Sequence, residues 1–258
     1  MSQVLEVIHD AGFFSCSTIR LRNIINFYNK NKSFPIVDSS KQWSSYKDIE
    51  GDITPILFKQ NEIISDIKDT IIFSDDDRED QFSDYTRLNY DDINFFIDRY
   101  FDASEKILET KKKFIEKYNI DVENTISILF RGNNKGLETY LPSHQQMINK
   151  INEVKIKFPN HKILLQTDEV EFCESVLSHY PETIIIKELK QINNCDNDVH
   201  SLTPIGERLD LAINLLSSIL ILSETSQVIL NSGNVSMWIC LFRKNTEGIH
   251  QFLSNNFL

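Results

Sequence analysis

Arg131 and Lys135 stand either side of Gly132-Asn133-Asn134, and Ile126, Ile128, Leu129 and Phe130 precede them as a short apolar run. An arginine fork and a lysine point charge suit the oxygens of a phosphate. A buried parallel strand that empties into a polar loop reads this way. In open α/β sheets, ligands sit at the carboxyl ends of such strands. Two further clusters have the same character. Thr167-Asp168-Glu169 closes the apolar stretch 162–166. Ser232-Gly233-Asn234 lies between the apolar stretch 227–230 and the helical stretch 235–242. A glycine at a helix N-terminus offers backbone N–H groups and the positive end of the dipole to an anion. Taken singly, each cluster is also an ordinary turn or helix cap. Parallel strands put all three on one edge, and that convergence points to a nucleotide or nucleotide-sugar site.

The elements that must position these residues follow from the hydrophobic pattern. A strand at 4–8, a loop at 9–15 with Gly12 and Phe13-Phe14, and helical spacing from Ile19 to Tyr28 make a strand–loop–helix opening. A lone Gly12 is a weak phosphate signal. Residues 34–38 and 70–73 read as strands, 53–58 as irregular or a short strand, and 91–118 as one long helical pattern or two helices. From 125 onward strand and helix alternate: helices at 144–158, 170–179, 206–223 and 235–242, with strands at 162–166, 183–186 and 227–230. Residues 191–203 are polar and loop-like, and 247–257 reads as a final helix. This alternation specifies a parallel sheet covered on both faces. The expected fold class is α/β with two Rossmann-like domains. The expected boundaries are 1–120, 121–245, and 246–258 for a terminal helix packing back toward the first domain.

Composition narrows the function. The net charge of −11 argues against a protein built to grip nucleic acid, which needs a basic footprint. The acidic run Ser74-Asp75-Asp76-Asp77-Arg78-Glu79-Asp80 reads as a solvated loop or, as the alternative, a divalent-cation site. Cys16, Cys173, Cys195 and Cys240 show neither zinc spacing nor a disulfide framework, which suits reduced thiols and a cytoplasmic location. The first residues carry Glu6, His9 and Asp10 without a basic segment, so no signal peptide is expected. The longest apolar run, 215–222, is broken by Ser217-Ser218 and is too short for a membrane span. A complete G-x-G-x-x-G or P-loop is absent, which counts against dinucleotide or ATP use.

The half from 125 to 243 resembles the fucosyltransferase superfamily, which includes α1,6-fucosyltransferases, nodulation fucosyltransferases and protein O-fucosyltransferases. The family's first motif, His-x-Arg-Arg-x-Asp-Lys with a following Glu, is similar to Leu129-Phe130-Arg131-Gly132-Asn133-Asn134-Lys135 and Glu138. Arg131 and Lys135 match; the His, the second Arg and the Asp are replaced. The second motif resembles Gln166-Thr167-Asp168-Glu169, down to Tyr180-Pro181. The third resembles Leu222-Ser223 through Ser232-Gly233-Asn234, with Ser218 where the family places an Asp.

The resemblance implies a glycosyltransferase B-type fold and metal-independent, inverting transfer of fucose from GDP-fucose to a glycan acceptor, with no cofactor. It implies that Arg131 holds the donor diphosphate, where leaving-group charge builds in the transition state, and that Lys135 assists at the same phosphate or orients a neighbouring carboxylate. Asp168 and Thr167 would contact the nucleotide, and Ser232, Gly233 and Asn234 would line the phosphate pocket. Gly12 would face the cleft from the other domain, and Glu138 would be the base for the acceptor hydroxyl. The altered first motif keeps a second reading open: a catalytically degenerate nucleotide-sugar-binding protein. An unrelated α/β enzyme is the third.

Overall fold

The structure is a computed structural model that describes residues 3–61, 70–73, 80–193 and 198–253. Its elements in chain order are β1 (Val4–His9), α1 (Phe13–Asn31), β2 (Ile36–Gln42), α2 (Thr54–Leu57), β3 (Phe58–Lys59), α3 (Tyr90–Tyr100), β4 (Asp102–Ala103), α4 (Glu105–Tyr118), β5 (Thr125–Phe130), α5 (His144–Lys157), β6 (Lys162–Thr167), α6 (Val170–His179), β7 (Ile184–Ile185), α7 (Arg208–Glu224), β8 (Gln227–Asn231), α8 (Asn234–Arg243) and β9 (Ile249–Phe252). Strands β7-β6-β5-β8-β9 form one sheet in that order, every neighbouring pair parallel. β1 and β2 form a separate parallel pair joined through α1, and β3 and β4 a short antiparallel pair.

β5 is buried at all six positions because both faces of its sheet are covered. Ile126, Ile128 and Phe130 pack with Ile151, Met147 and Phe172 of α5 and α6. Leu129, Leu164, Val228 and Leu230 belong to the opposite cluster, with α4, α7 and α8. The period of two along each strand thus divides the sheet between two helical layers. The second cluster continues into α1, α3 and the β1–β2 pair. Phe14 and Phe101 meet Trp238 of α8 at ring-centroid distances of 6.0 and 4.7 Å. The sheets change near residue 120, while apolar packing runs across that point.

Four expectations change. Helix α1 begins at Phe13 rather than near Ile19, directly after Gly12. Residues 54–57 are a helical turn, and 70–73 are not a strand: the Ile71 N–H donates to the Asn29 side chain, at 2.9 Å. The 91–118 pattern takes the second of its two expected forms, two helices divided where Ser104 caps α4. The terminal helix over 247–257 is, in its described part, strand β9. Gly248 has φ +71, which turns the chain out of helical geometry, and the next four residues pair with Val228 to Asn231. The open edge of β8 supplies ladder partners that outweigh a short local helical pattern. β9 nonetheless reaches the first half: the Gln251 amide accepts from Tyr85 N and donates to Ser83 O. Residues 74–79 of the acidic run and Cys195 lie outside the described residues. Cys16, Cys173 and Cys240 are buried free thiols. Among the described residues no helix is long and apolar enough to cross a membrane.

Candidate functional site

β6, β5 and β8 are adjacent and parallel, so the three polar clusters after them meet at one sheet edge. Arg131 is fixed first through its backbone. Its N–H donates to Asn231 Oδ1 at 2.9 Å and its carbonyl accepts from Asn231 Nδ2 at 3.1 Å. Its Nε lies 2.9 Å from Asp168 Oδ2, an ion pair in which the N–H is not aligned for a hydrogen bond. The other carboxylate oxygen of Asp168 accepts the Gly132 N–H at 3.0 Å, and the Asp168 carbonyl accepts from Asn133 Nδ2. Asp168 therefore holds the Arg131–Gly132 loop in place. The terminal guanidinium nitrogens have no partner among the described residues, and the side chain lines a cavity of about 330 Å³.

Gly132 is required there by close approach. A Cβ at this position would lie 1.7 Å from Glu169 Oε2. Glu169 is almost fully buried, and its Oε1 is 2.9 Å from His144 Nε2 at the start of α5. The loop carrying Arg131 thus rests on a carboxylate that is itself anchored.

Lys135 occupies the neighbouring wall. Its ammonium donates to Glu138 Oε2 at 2.5 Å and Gln81 Oε1 at 2.9 Å, and sits 4.7 Å above the Phe82 ring. Burial pulls its pKa below the ordinary lysine range, and Glu138 opposes that shift. One of the three ammonium hydrogens is left over by these two bonds.

Two helix N-termini open into the same cavity. Ala11, Gly12, Phe13, Phe14 and Ser15 line it from α1; Gly233, Asn234 and Val235 line it from α8. No side chain caps either helix. Asn234 ties them together: Thr18 Oγ1 lies 2.8 Å from its Oδ1, and its Nδ2 donates to Gln81 at 3.1 Å. Tyr85 steadies Gly233 by accepting from its N–H, at 3.0 Å.

The structure thus brings Arg131, Lys135, Glu138, Gly233, Asn234 and Gly12 around one cavity. Thr167 and Asp168 line a narrower adjoining slot of about 60 Å³ instead, with Leu129, Gln166, Leu189 and Leu211. Ser232 turns away altogether: its hydroxyl donates to Phe252 O at 2.8 Å and accepts from Gln251. The sequence points Ser232 to the pocket because nothing local announces that β9 claims it. Conversely, Tyr46, Gln81, Asp198 and His200 line the cavity without having been singled out. Only the Asp198-x-His200 spacing inside a polar loop was available as a signal. Among the described residues no group of three or more His, Cys, Asp or Glu could hold a metal ion.

No family model and no curated protein sequence matches the chain. Solved structures do. NodZ alpha-1,6-fucosyltransferase soaked with GDP-fucose aligns with a TM-score of 0.61 over 100% of this chain and 98% of that one, at 12% identity. NodZ co-crystallised with GDP gives 0.52 over 89% and 88%, at 13% identity. Fucosyltransferase NodZ from Bradyrhizobium gives 0.53 over 89% and 88%, at 12% identity. The likeness is one of fold: the architecture is that of NodZ, a glycosyltransferase B-type α/β fold.

Proposed function

We propose that the chain is a glycosyltransferase that takes a sugar from a nucleoside diphosphate, fucose from GDP-fucose, to a glycan hydroxyl. The observation that carries this reading is the convergence of the Arg131 guanidinium with the uncapped N-termini of α1 and α8 on one cavity. Two helix dipoles and a fixed cation suit a group with the charge of a diphosphate. The same groups stabilise the charge that grows on the leaving diphosphate as the glycosidic bond breaks. In this reading Lys135 adds its remaining hydrogen to the diphosphate, and Asp168 acts by orienting Arg131. The adjoining slot, which Leu129, Leu189 and Leu211 line together with Gln166, Thr167 and Asp168, takes the base. Charge neutralisation by protein groups supports transfer without a metal, and the fold shared with NodZ, whose structures were soaked with GDP-fucose or co-crystallised with GDP, supports the choice of donor.

One observation favours binding without turnover as the second reading. The Glu138 carboxylate, the base implied by the sequence resemblance, is engaged by Lys135 and half exposed. Thermal melting with GDP, UDP, ADP and CDP, followed by GDP release from GDP-fucose with and without EDTA, separates the two. GDP at 100 times its Kd adds about 2.7 kcal/mol. Arg131→Ala is expected to weaken GDP binding more than tenfold, since each charged hydrogen bond contributes about 1.5–3 kcal/mol. Arg131→Lys recovers part of the affinity, lacking the fork. A chain that none of the four nucleotides stabilises would sink the donor reading.

A further inference from the structure

Asp198 and His200 both line the donor cavity, and His200 also borders the adjoining slot. His200 Nδ1 lies 2.9 Å from Asp198 Oδ1. The Ser201 N–H donates to that same oxygen at 2.8 Å, and the Asn134 amide approaches the other at 3.4 Å. The carboxylate is thus held in place, and it holds the imidazole with Nδ1 protonated and the Nε2 lone pair available. The ring packs on Tyr46 with centroids 5.1 Å apart, which restricts its swing. Asp198–His200 and Tyr46 come from opposite halves of the chain, so the ring sits where those halves meet the cavity. Glu138, by contrast, has its Oε2 bonded to the Lys135 ammonium, and among the described residues no carboxylate orients it as Asp198 orients His200.

Resting on the donor reading above, we propose that His200, oriented by Asp198, takes the proton from the hydroxyl that attacks the sugar. The oxygen of the acceptor, or of water, forms the new bond to the anomeric carbon. The bond from that carbon to the phosphate oxygen breaks, and its electron pair leaves on the diphosphate held by Arg131. The hydroxyl proton passes to His200 Nε2, and the imidazolium is stabilised by Asp198. The charged and titratable groups facing His200 are Asp198 on its own loop, Arg131 after β5, Asp10 after β1 and Tyr46. Burial lowers the His200 pKa below the ordinary histidine range; Arg131 adds to this, while Asp198 and Asp10 oppose it. The ring is therefore neutral near pH 7 and able to act as a base.

The test uses the full chain with GDP-fucose as donor and water as acceptor, reading GDP release, together with GDP affinity by calorimetry. His200→Gln is expected to lower release by roughly 10²–10⁴, the range of general-base assistance, with GDP affinity within about threefold of wild type. Retained affinity also shows that the variant is folded; His200→Asn serves if it is not. Asp198→Asn is expected to slow release and move the acidic limb of the kcat/KM profile to lower pH, because the lost carboxylate had raised the His200 pKa. Glu138→Gln is expected to change KM and keep that limb. Release at the wild-type rate by His200→Gln overturns the proposal. So does a wild type that binds GDP and never releases it from GDP-fucose, which leaves the binding reading standing. A wild type without GDP affinity overturns the donor reading itself.

Discussion

Two helices, α1 and α8, present glycine-led N-termini to the same cavity, and the surroundings of those glycines differ. At Gly12 a Cβ would meet nothing within 4 Å. At Gly233 it would meet Lys135 Cε at 3.4 Å, an ordinary contact, and at the nearby Gly132 it would overlap Glu169. The half carrying α8 surrounds its helix end with cations, anchored carboxylates and the Asn231 clamp. The half carrying α1 offers backbone and aromatic surface, with Ser15 bonded to His9 at 3.0 Å. The same local device, an uncapped helix start after glycine, thus has Lys135 packed against it on one side and open space on the other. In the reading proposed above, the C-terminal half holds a fixed charge and the N-terminal half leaves room beside it.

Substitutions can break that comparison. The largest effect is expected from Gly132→Ala. Overpacking of this kind costs about 1–3 kcal/mol. Glu169 cannot yield cheaply because it is buried and held by His144, so the cost falls on the Arg131 loop. Donor affinity should drop about 10–100-fold, measured by GDP calorimetry. Wild-type affinity in this variant would mean that the loop is not the rigid partner. An intermediate effect is expected from Thr18→Val, which cuts the link between the two helices. Trp238 Nε1 donates to Thr18 Oγ1 at 2.9 Å, and that hydroxyl is also the neighbour of Asn234. Leaving the buried indole N–H without a partner costs about 1–3 kcal/mol. Denaturant unfolding should show that loss, with a smaller change in donor affinity than Gly132→Ala gives. The smallest effect belongs to Gly12→Ala. Its Cβ has space, and only the weaker N-cap propensity of alanine acts against it, so stability should stay within about 0.5 kcal/mol. A donor-affinity loss equal to that of Gly132→Ala would show that both helix ends are equally constrained.

Much of the C-terminal half is legible in the sequence. The apolar runs of β5, β6 and β8 end in polar clusters, and the helices between them force the strands to run parallel, so their ends must share an edge. Arg131, Lys135, Gly233 and Asn234 follow from that reasoning and do line the cavity. The N-terminal half is less legible. Its described parallel sheet is a single β1–α1–β2 unit, and much of the remaining packing comes from α3, α4 and irregular segments. Short elements such as β3 and β4, two residues each, carry too little periodicity to be recognised.

Residue types and local order determined the sheet, its covered faces and the edge where an anion could bind, because strand period and helix period are local properties. Only the tertiary structure decided how each polar side chain is used. Asp168 and Asn231 face the Arg131 loop because β6 and β8 flank β5. Ser232 belongs to β9 because an open sheet edge recruits a strand from 249–252. Tyr46, Gln81, Asp198 and His200 reach the cavity from separate stretches of chain that become neighbours only when both halves pack on α8 and α7. A hydrogen bond between residues a hundred positions apart, as between Arg131 and Asn231, leaves no trace in local spacing, and it is such bonds that fix the loop from which the Arg131 guanidinium faces the cavity.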